Sequence, residues 1–287
     1  MEYYYKKQSD GEWFGPYSET EIAQYSKYQI FVPVYNYSEM NKYILDTLQQ
    51  KRLKLSLPSK MNDPFECLPA LPNKWLYPCA PVNEIPDNLN KIRESLDRSI
   101  LFRSFTKYHL TANVDETLLW SHYARNHTGI RIGYAWSVVP YGTKLQGSCY
   151  YLEDIIYTNT RPVFPPSFPN ISQDDAREFA WTIAKTKSQV WQYENEIRLL
   201  ATPIPALKEI FPDESPIFED IFEKDGLTFL RLWSDNIFSI DLGCQFSDED
   251  FKKKILEAVE KNYPHVRVHK AIMPTDEYVL KYHQIFP

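Results

Sequence analysis

Apolar and polar positions along the chain follow two periods, and their alternation lays out the elements. Phe31–Tyr37 (FVPVYNY) alternates in twos and is rich in β-formers, which predicts a strand. Ser38 is a suitable N-cap for a helix over Glu39–Gln50, where Met40, Tyr43, Ile44, Thr47 and Leu48 form one stripe. Leu53–Leu57 predicts a strand, Leu89–Ser99 a helix and Ile100–Thr106 a strand. Leu118–Ala124 reads as a short helix that leads through a turn at His127–Gly129 into a strand over Ile130–Trp136. Asp174–Gln192 reads as the longest helix, with Asp174 and Asp175 at its positive end. A strand over Glu194–Thr202, a strand over Ile237–Leu242, a helix over Ser247–Asn262 and a strand over His265–Ala271 complete the pattern. Proline-dense stretches at 64–86, 162–169 and 203–216 predict ordered surface loops. Short strands mixed with helices indicate an α+β fold.

Composition then removes several functions. Eight glycines in 287 residues is about 3%, against an average near 7%. The close pairs Gly11/Gly15, Gly129/Gly133 and Gly142/Gly147 spell neither GxGxxG nor GxxxxGK[ST], so neither a Rossmann dinucleotide loop nor a P-loop is expected. A net charge of −6 argues against broad binding to duplex nucleic acid, because that attraction comes from Lys and Arg on phosphates. No stretch has the 18 or so apolar residues that a membrane helix needs, and MEYYYKKQSDGEW has no apolar signal core. Cys67, Cys79, Cys149 and Cys244 have no metal-ligand spacing, so the expectation is a reduced cytoplasmic protein with no membrane partner and no structural zinc.

Three constellations could carry chemistry. In Met61–Glu66 (MNDPFE), Asn62 and Asp63 precede Pro64 in a turn whose side chains can bond their own backbone, and Asp63 or Glu66 could face a cleft. In Leu118–Tyr134 (LLWSHYARNHTGIRIGY), Trp120, Tyr123 and His127 could share a side, with His122 elsewhere. An aromatic wall with one imidazole suits a flat polar ring such as nicotinamide or a base. In Lys187–Leu200 (KSQVWQYENEIRLL), a strand would put Glu194, Glu196 and Arg198 on one face, with Lys187 and Trp191 leading in. Two carboxylates that close repel unless they are paired, solvated or used.

Together NDPFE, the SFT of residues 104–106, WSHYARNHTG and W-x-Y-E-x-E-I-R resemble a widespread bacterial family known only as a domain of unknown function, from about Phe31 to about Gln284. More distantly, the order of an opening strand, a helix with a short second strand (RLKLS), a middle S-F-T strand and a late E-x-E strand resembles the ADP-ribosyltransferase superfamily, including its DNA-modifying toxin branch. That resemblance implies a split mixed β-sheet core with flanking helices over residues 31–287. It implies NAD as substrate, Glu196 as the catalytic glutamate, Glu194 as its companion, and Ser104 and Thr106 as the supporting pair. The opening strand of that superfamily supplies an Arg or His to NAD, whereas here it offers Tyr35, Asn36 and Tyr37, so His122 or His127 would stand in for the missing donor. Residues 1–30 weakly resemble a GYF-like module through Trp13, Gly15, Pro16 and Tyr17, and form either such a partner-binding segment or a hairpin-plus-helix appendage.

The expected function is an NAD-consuming ADP-ribosyltransferase or NAD glycohydrolase, a bacterial toxin or antiphage effector acting on a nucleic-acid or protein acceptor. Trp120, His122, Tyr123, His127, Ser104, Thr106, Tyr35 and Lys187 would bind the nucleotide, with no resident metal. The rival expectations are a nucleotide- or peptide-binding protein and a Mg²⁺ nuclease built from Asp63, Glu66, Glu194, Glu196 and Lys187.

Overall fold

A computed structural model describes residues 3–6, 13–22, 30–61, 63, 65–70, 94–108, 116–138, 150–163, 172–204 and 220–286. Asn62, Pro64, Cys79, Cys149, the first part of the 89–99 helix and most of the three proline-dense stretches lie outside them. The chain forms two compact units. Unit one comprises Met1–Lys54, Phe105–Ser148 and Phe229–Pro287, and unit two comprises Leu55–Ser104 and Cys149–Thr228.

In chain order, the elements begin with strands β1 (Tyr3–Lys6) and β2 (Trp13–Tyr17) and helix α1 (Glu19–Ile22). They continue with β3 (Ile30–Ser38), α2 (Lys42–Gln50), β4 (Arg52–Lys54), a helix α3 over 94–99, β5 (Leu101–Lys107), α4 (Glu116–Tyr123) and β6 (Ile130–Val138). Next come β7 (Tyr150–Asp154), β8 (Ile156–Thr158), α5 (Gln173–Ala184), β9 (Thr186–Ser188) and β10 (Glu196–Ala201). The described chain closes with β11 (Ile221–Lys224), β12 (Leu227–Arg231), β13 (Ile237–Leu242), α6 (Glu249–Asn262), β14 (Arg267–Ile272) and β15 (Lys281–Phe286). The fold is mixed α+β. Among the described residues no helix is long and apolar enough to cross a membrane.

Unit one is a large mixed sheet with helices packed on it. Strands run in the order β15-β14-β13-β6-β3, with Thr106 and Lys107 at the end of β5 pairing onto β3, and only β13–β14 is parallel among these pairs. The β1–β2 hairpin joins through β1, which pairs with β3, and α1 starts in a capping box in which Ser18 and Glu21 bond each other's backbone N–H. The parallel β13–β14 pair needs a crossover, and α6 supplies it. Ile255, Ala258 and Val259 bury its apolar stripe, and Asp248 caps it through Phe251 N at 2.9 Å. Tyr263 at its end donates to Thr47 O on α2, and Asn262 to Leu48 O, which locks the two helices together.

Unit two contains β7 and β10, paired antiparallel, with the first half of β5 on the other side of β10. All six residues of β10 are buried, as a strand flanked on both edges requires. Leu200 joins Cys67, Leu96, Ile100, Phe102 and the α5 residues Ala180, Ile183 and Ala184 in one apolar cluster. Parallel strands β8 and β9 form a separate two-stranded ribbon.

Three expectations need correction. Helix α2 begins at Lys42, because Asn41 rather than Ser38 is the cap and accepts from Tyr43 N and Ile44 N. The long helix expected to Gln192 ends at Ala184, where Thr186–Ser188 leave the helix to pair with Ile156–Thr158 and a 3₁₀ turn over Gln189–Glu194 follows. The longest described helix is therefore α6, at 14 residues. Glu194 is not on the strand with Glu196, because Asn195 takes a left-handed conformation (φ 44°) that breaks the alternation between them.

The WSHYARNHTG segment also has a structural use. Arg125, Asn126 and His127 lie in succession in the left-handed region at φ 48°, 53° and 65°. Asn126 N and His127 N return to the carbonyls of Ser121 and Trp120, and Gly129 N to that of Ala124, which satisfies the last turn of α4. A Cβ on Gly129 would meet Ser38 O at 2.3 Å and one on Gly243 would meet His127 O at 2.1 Å, so the turn passes between two backbones that tolerate only glycine.

Candidate functional site

Unit two gathers charge at the start of β10. Lys187 Nζ bonds Glu194 Oε2 at 2.6 Å and Glu196 Oε2 at 2.8 Å, and lies 3.9 Å from Glu66 Oε1. Arg198 holds Glu196 through Nε at 2.7 Å, pairs with Glu66, and donates to Ala184 O. Phe102 packs against its guanidinium at 4.8 Å. Asp63 accepts from Trp191 Nε1 at 2.7 Å and from Phe65 N at 2.9 Å, the turn expected of NDPFE, and the Lys187 ammonium sits 5.3 Å over the Trp191 ring. All six charged groups are buried.

Burial is the largest influence on Glu196, Lys187 and Arg198. It pushes the Glu196 carboxyl above its ordinary value, with Lys187 and the Ser104 hydroxyl pulling the other way. It also works against the Lys187 ammonium, but Glu196 and Glu194 outweigh it and hold that group well above the usual lysine range. Burial draws Arg198 down to about 9, so the guanidinium remains charged at neutral pH. Burial raises Tyr157, whose hydroxyl oxygen accepts from Glu196 N at 2.7 Å and fixes the strand's first residue.

A cleft of about 180 Å³ opens beside this network. Asp63, Glu66 and Lys187 reach it from the buried side, and Thr158, Thr160 and the exposed Arg161 and Phe65 line its mouth. Glu194 and Glu196 are not among its lining residues; they hold Lys187 from behind. The parallel bridge Ala70–Val163, with Ala70 N bonded to Pro162 O at 2.7 Å, ties the NDPFE segment to the 158–163 segment and so builds the mouth.

The candidate residues therefore fall in two groups. Unit two brings together Lys187, Glu194, Glu196 and Ser104. Unit one holds the others. Trp120 is fully buried, donates to Tyr282 Oη at 3.2 Å, meets Tyr37 edge-on and stacks near His127. His122 is exposed, Tyr123 half-buried beside it, and Thr106 buried opposite Tyr35. Burial lowers the His127 imidazole below its ordinary value.

Unit one also holds a second charged cluster that the sequence reading did not mark. Arg131 on β6 bonds Asp241 at 2.8 Å and Glu116 at 2.7 Å, and its guanidinium lies 4.1 Å from the Tyr35 ring and 4.3 Å from the Tyr282 ring. His269 Nδ1 meets the other oxygen of Asp241 at 2.9 Å. The signal available was a lone arginine between two isoleucines in IRIGY, since only a paired charge is tolerated in so apolar a strand.

The donor set of unit two does not suit Mg²⁺. Glu66, Glu194 and Glu196 each face Lys187 or Arg198, and among the described residues no group of three His, Cys, Asp or Glu is placed to hold a metal ion. Residues 119–199 match the family described as "Protein of unknown function (DUF2971)". No curated protein and no solved structure matches the chain.

Proposed function

We propose that the protein is an NAD-consuming enzyme, an ADP-ribosyltransferase or NAD glycohydrolase, working in the cleft of unit two. The observation that carries this reading is the polarity of the cleft. Its buried side is lined by Asp63, Glu66 and Lys187, in a cluster whose four carboxylates outnumber its two cations, and its mouth presents Arg161. Oxidised NAD has matching polarity, with a pyridinium cation at one end and a pyrophosphate dianion next to it. A ring held by side chains also needs no glycine-rich phosphate loop.

In this reading the nicotinamide enters the buried side. The bond from the ribose anomeric carbon to the ring nitrogen breaks, and its electron pair leaves with the now neutral nicotinamide. Glu66, fixed by Arg198 in a dry setting, faces the positive charge left on the ribose. Water or an acceptor nucleophile adds to that carbon, and its proton passes to Asp63 or to solvent. Lys187 stays an ammonium and acts as a positioning residue, spacing the three glutamates. A nucleic-acid or protein acceptor would fit a toxin or antiphage role.

The test is nicotinamide release from NAD by the purified full chain. Glu66→Gln should lower it at least a hundredfold, in line with the loss of one preorganised charge in other active sites. Unchanged release in that variant overturns the role of Glu66, and an unmodified protein that shows no binding and no turnover of NAD overturns the reading. A second assignment is favoured by the E-x-E position of Glu196: release that survives Glu66→Gln and is lost in Glu196→Gln moves the role there.

A further inference from the structure

The cleft is too small for the ligand just proposed. Sites that enclose ligands of drug size run from roughly 300 to 1,000 Å³, whereas this one has about 180 Å³. A dinucleotide could place one ring and its ribose inside, and everything beyond the first phosphate would lie across the mouth. There the surface is unusual. Phe65 keeps 64% of its surface exposed, and the Arg161 guanidinium sits 5.6 Å over its ring. Thr158 and Thr160 stand beside them, their hydroxyls 3.2 Å apart.

Packing does not explain an exposed phenylalanine in this place. Its neighbours Asp63 and Glu66 turn inward, and the left-handed Cys67 (φ 55°) that follows lets the chain reverse while Phe65 points out. The Ala70–Val163 bridge then sets the segment bearing Arg161 alongside. A ring that offers a stacking face, a guanidinium and two hydroxyls make the combination that recognises a base joined to a phosphate chain.

We propose that Phe65 and Arg161 form an outer subsite for the adenosine diphosphate half of the ligand, Phe65 stacking the base and Arg161 pairing with the pyrophosphate. The name NAD rests on the reading above; the subsite itself requires only a nucleoside diphosphate at the cleft mouth. Phe65 and Arg161 are binding residues in this scheme and touch none of the reacting atoms.

ADP is the probe, because it lacks the nicotinamide end and reports the mouth alone. Calorimetric titration of the full chain should show ADP binding that weakens about tenfold or more in Phe65→Ala and in Arg161→Ala. It should be unchanged in Arg267→Ala, which removes an exposed arginine of unit one. Circular dichroism should confirm that each variant is folded. ADP affinity in Phe65→Ala and Arg161→Ala equal to that of the unmodified protein, no ADP binding by the unmodified protein, or a similar loss in Arg267→Ala each overturns the subsite. Nicotinamide release by the unmodified protein, measured separately, decides the function, so the two readings can fail independently.

Discussion

The two buried charge clusters of this protein look alike in composition and differ in how they are satisfied. In unit one, Arg131 lies between the rings of Tyr35 and Tyr282, and Asp241 is held on one oxygen by Arg131 and on the other by His269. In unit two, three glutamates crowd Lys187 and Arg198, with Asp63 beside them and a cleft alongside. Burial penalises both, but the outcomes oppose each other. Burial would raise Asp241, yet Arg131 and His269 outweigh it and hold that carboxyl below its ordinary value, whereas Glu196 stays above its own. A cluster that lowers the pKa of its acid stabilises the fold at neutral pH. One that raises it costs stability there.

The largest effects should come from stranding a buried charge. Arg198→Met leaves Glu66 and Glu196 without their guanidinium, and Arg131→Met does the same to Asp241 and Glu116; each should cost about 3–5 kcal/mol in urea unfolding. A loss below 1 kcal/mol in either would mean that its cluster is already well solvated. Gly243→Ala forces a methyl against the carbonyl of His127 and should cost about 1–3 kcal/mol.

Acid and base should separate the clusters by sign. The Asp241 contribution is present above its ordinary value of 3.8 and is lost as pH falls from there through its lower folded value, so Asp241→Asn should flatten the acid limb of the stability curve. The Glu196 contribution is present below its ordinary value of 4.5 and is lost as pH rises through its higher folded value. Glu196→Gln should therefore raise stability near pH 7 relative to pH 4. Curves of the same sign for both variants would dissolve the distinction. At the small end, Lys253→Ala, at an exposed pair with Glu257, should change stability by less than about 0.5 kcal/mol.

Much of this was legible in the sequence where one face of an element decides its pattern. Strands β3, β6 and β13 and helix α6 show their period because one side of each is uniformly apolar. The pairing of Glu196 with Arg198 was readable too, since residues two apart on a strand share a face. Glu194 was misplaced because a left-handed asparagine looks like any other polar residue in sequence, and the end of α5 because Thr186 pairs with a strand some 30 residues earlier. The Arg131 cluster depends on partners from β13, β14, β15 and α4, and no local pattern announces a contact between residues 110 positions apart.

The division of the chain has a consequence for how the molecule is made. Unit one is assembled from three separated stretches and unit two from two, with the boundary falling inside β5 after Ser104 and inside β12 after Thr228. Neither can be excised as a contiguous fragment, so truncation mapping of activity is uninformative here. On the ribosome, every residue of unit two emerges before residues 229–287, which carry three strands of the unit-one sheet. The candidate site can thus be complete while the larger sheet is still waiting for its last strands, and a nascent chain stalled far enough past Thr228 for that residue to have left the exit tunnel is where one would look for ligand binding ahead of full folding.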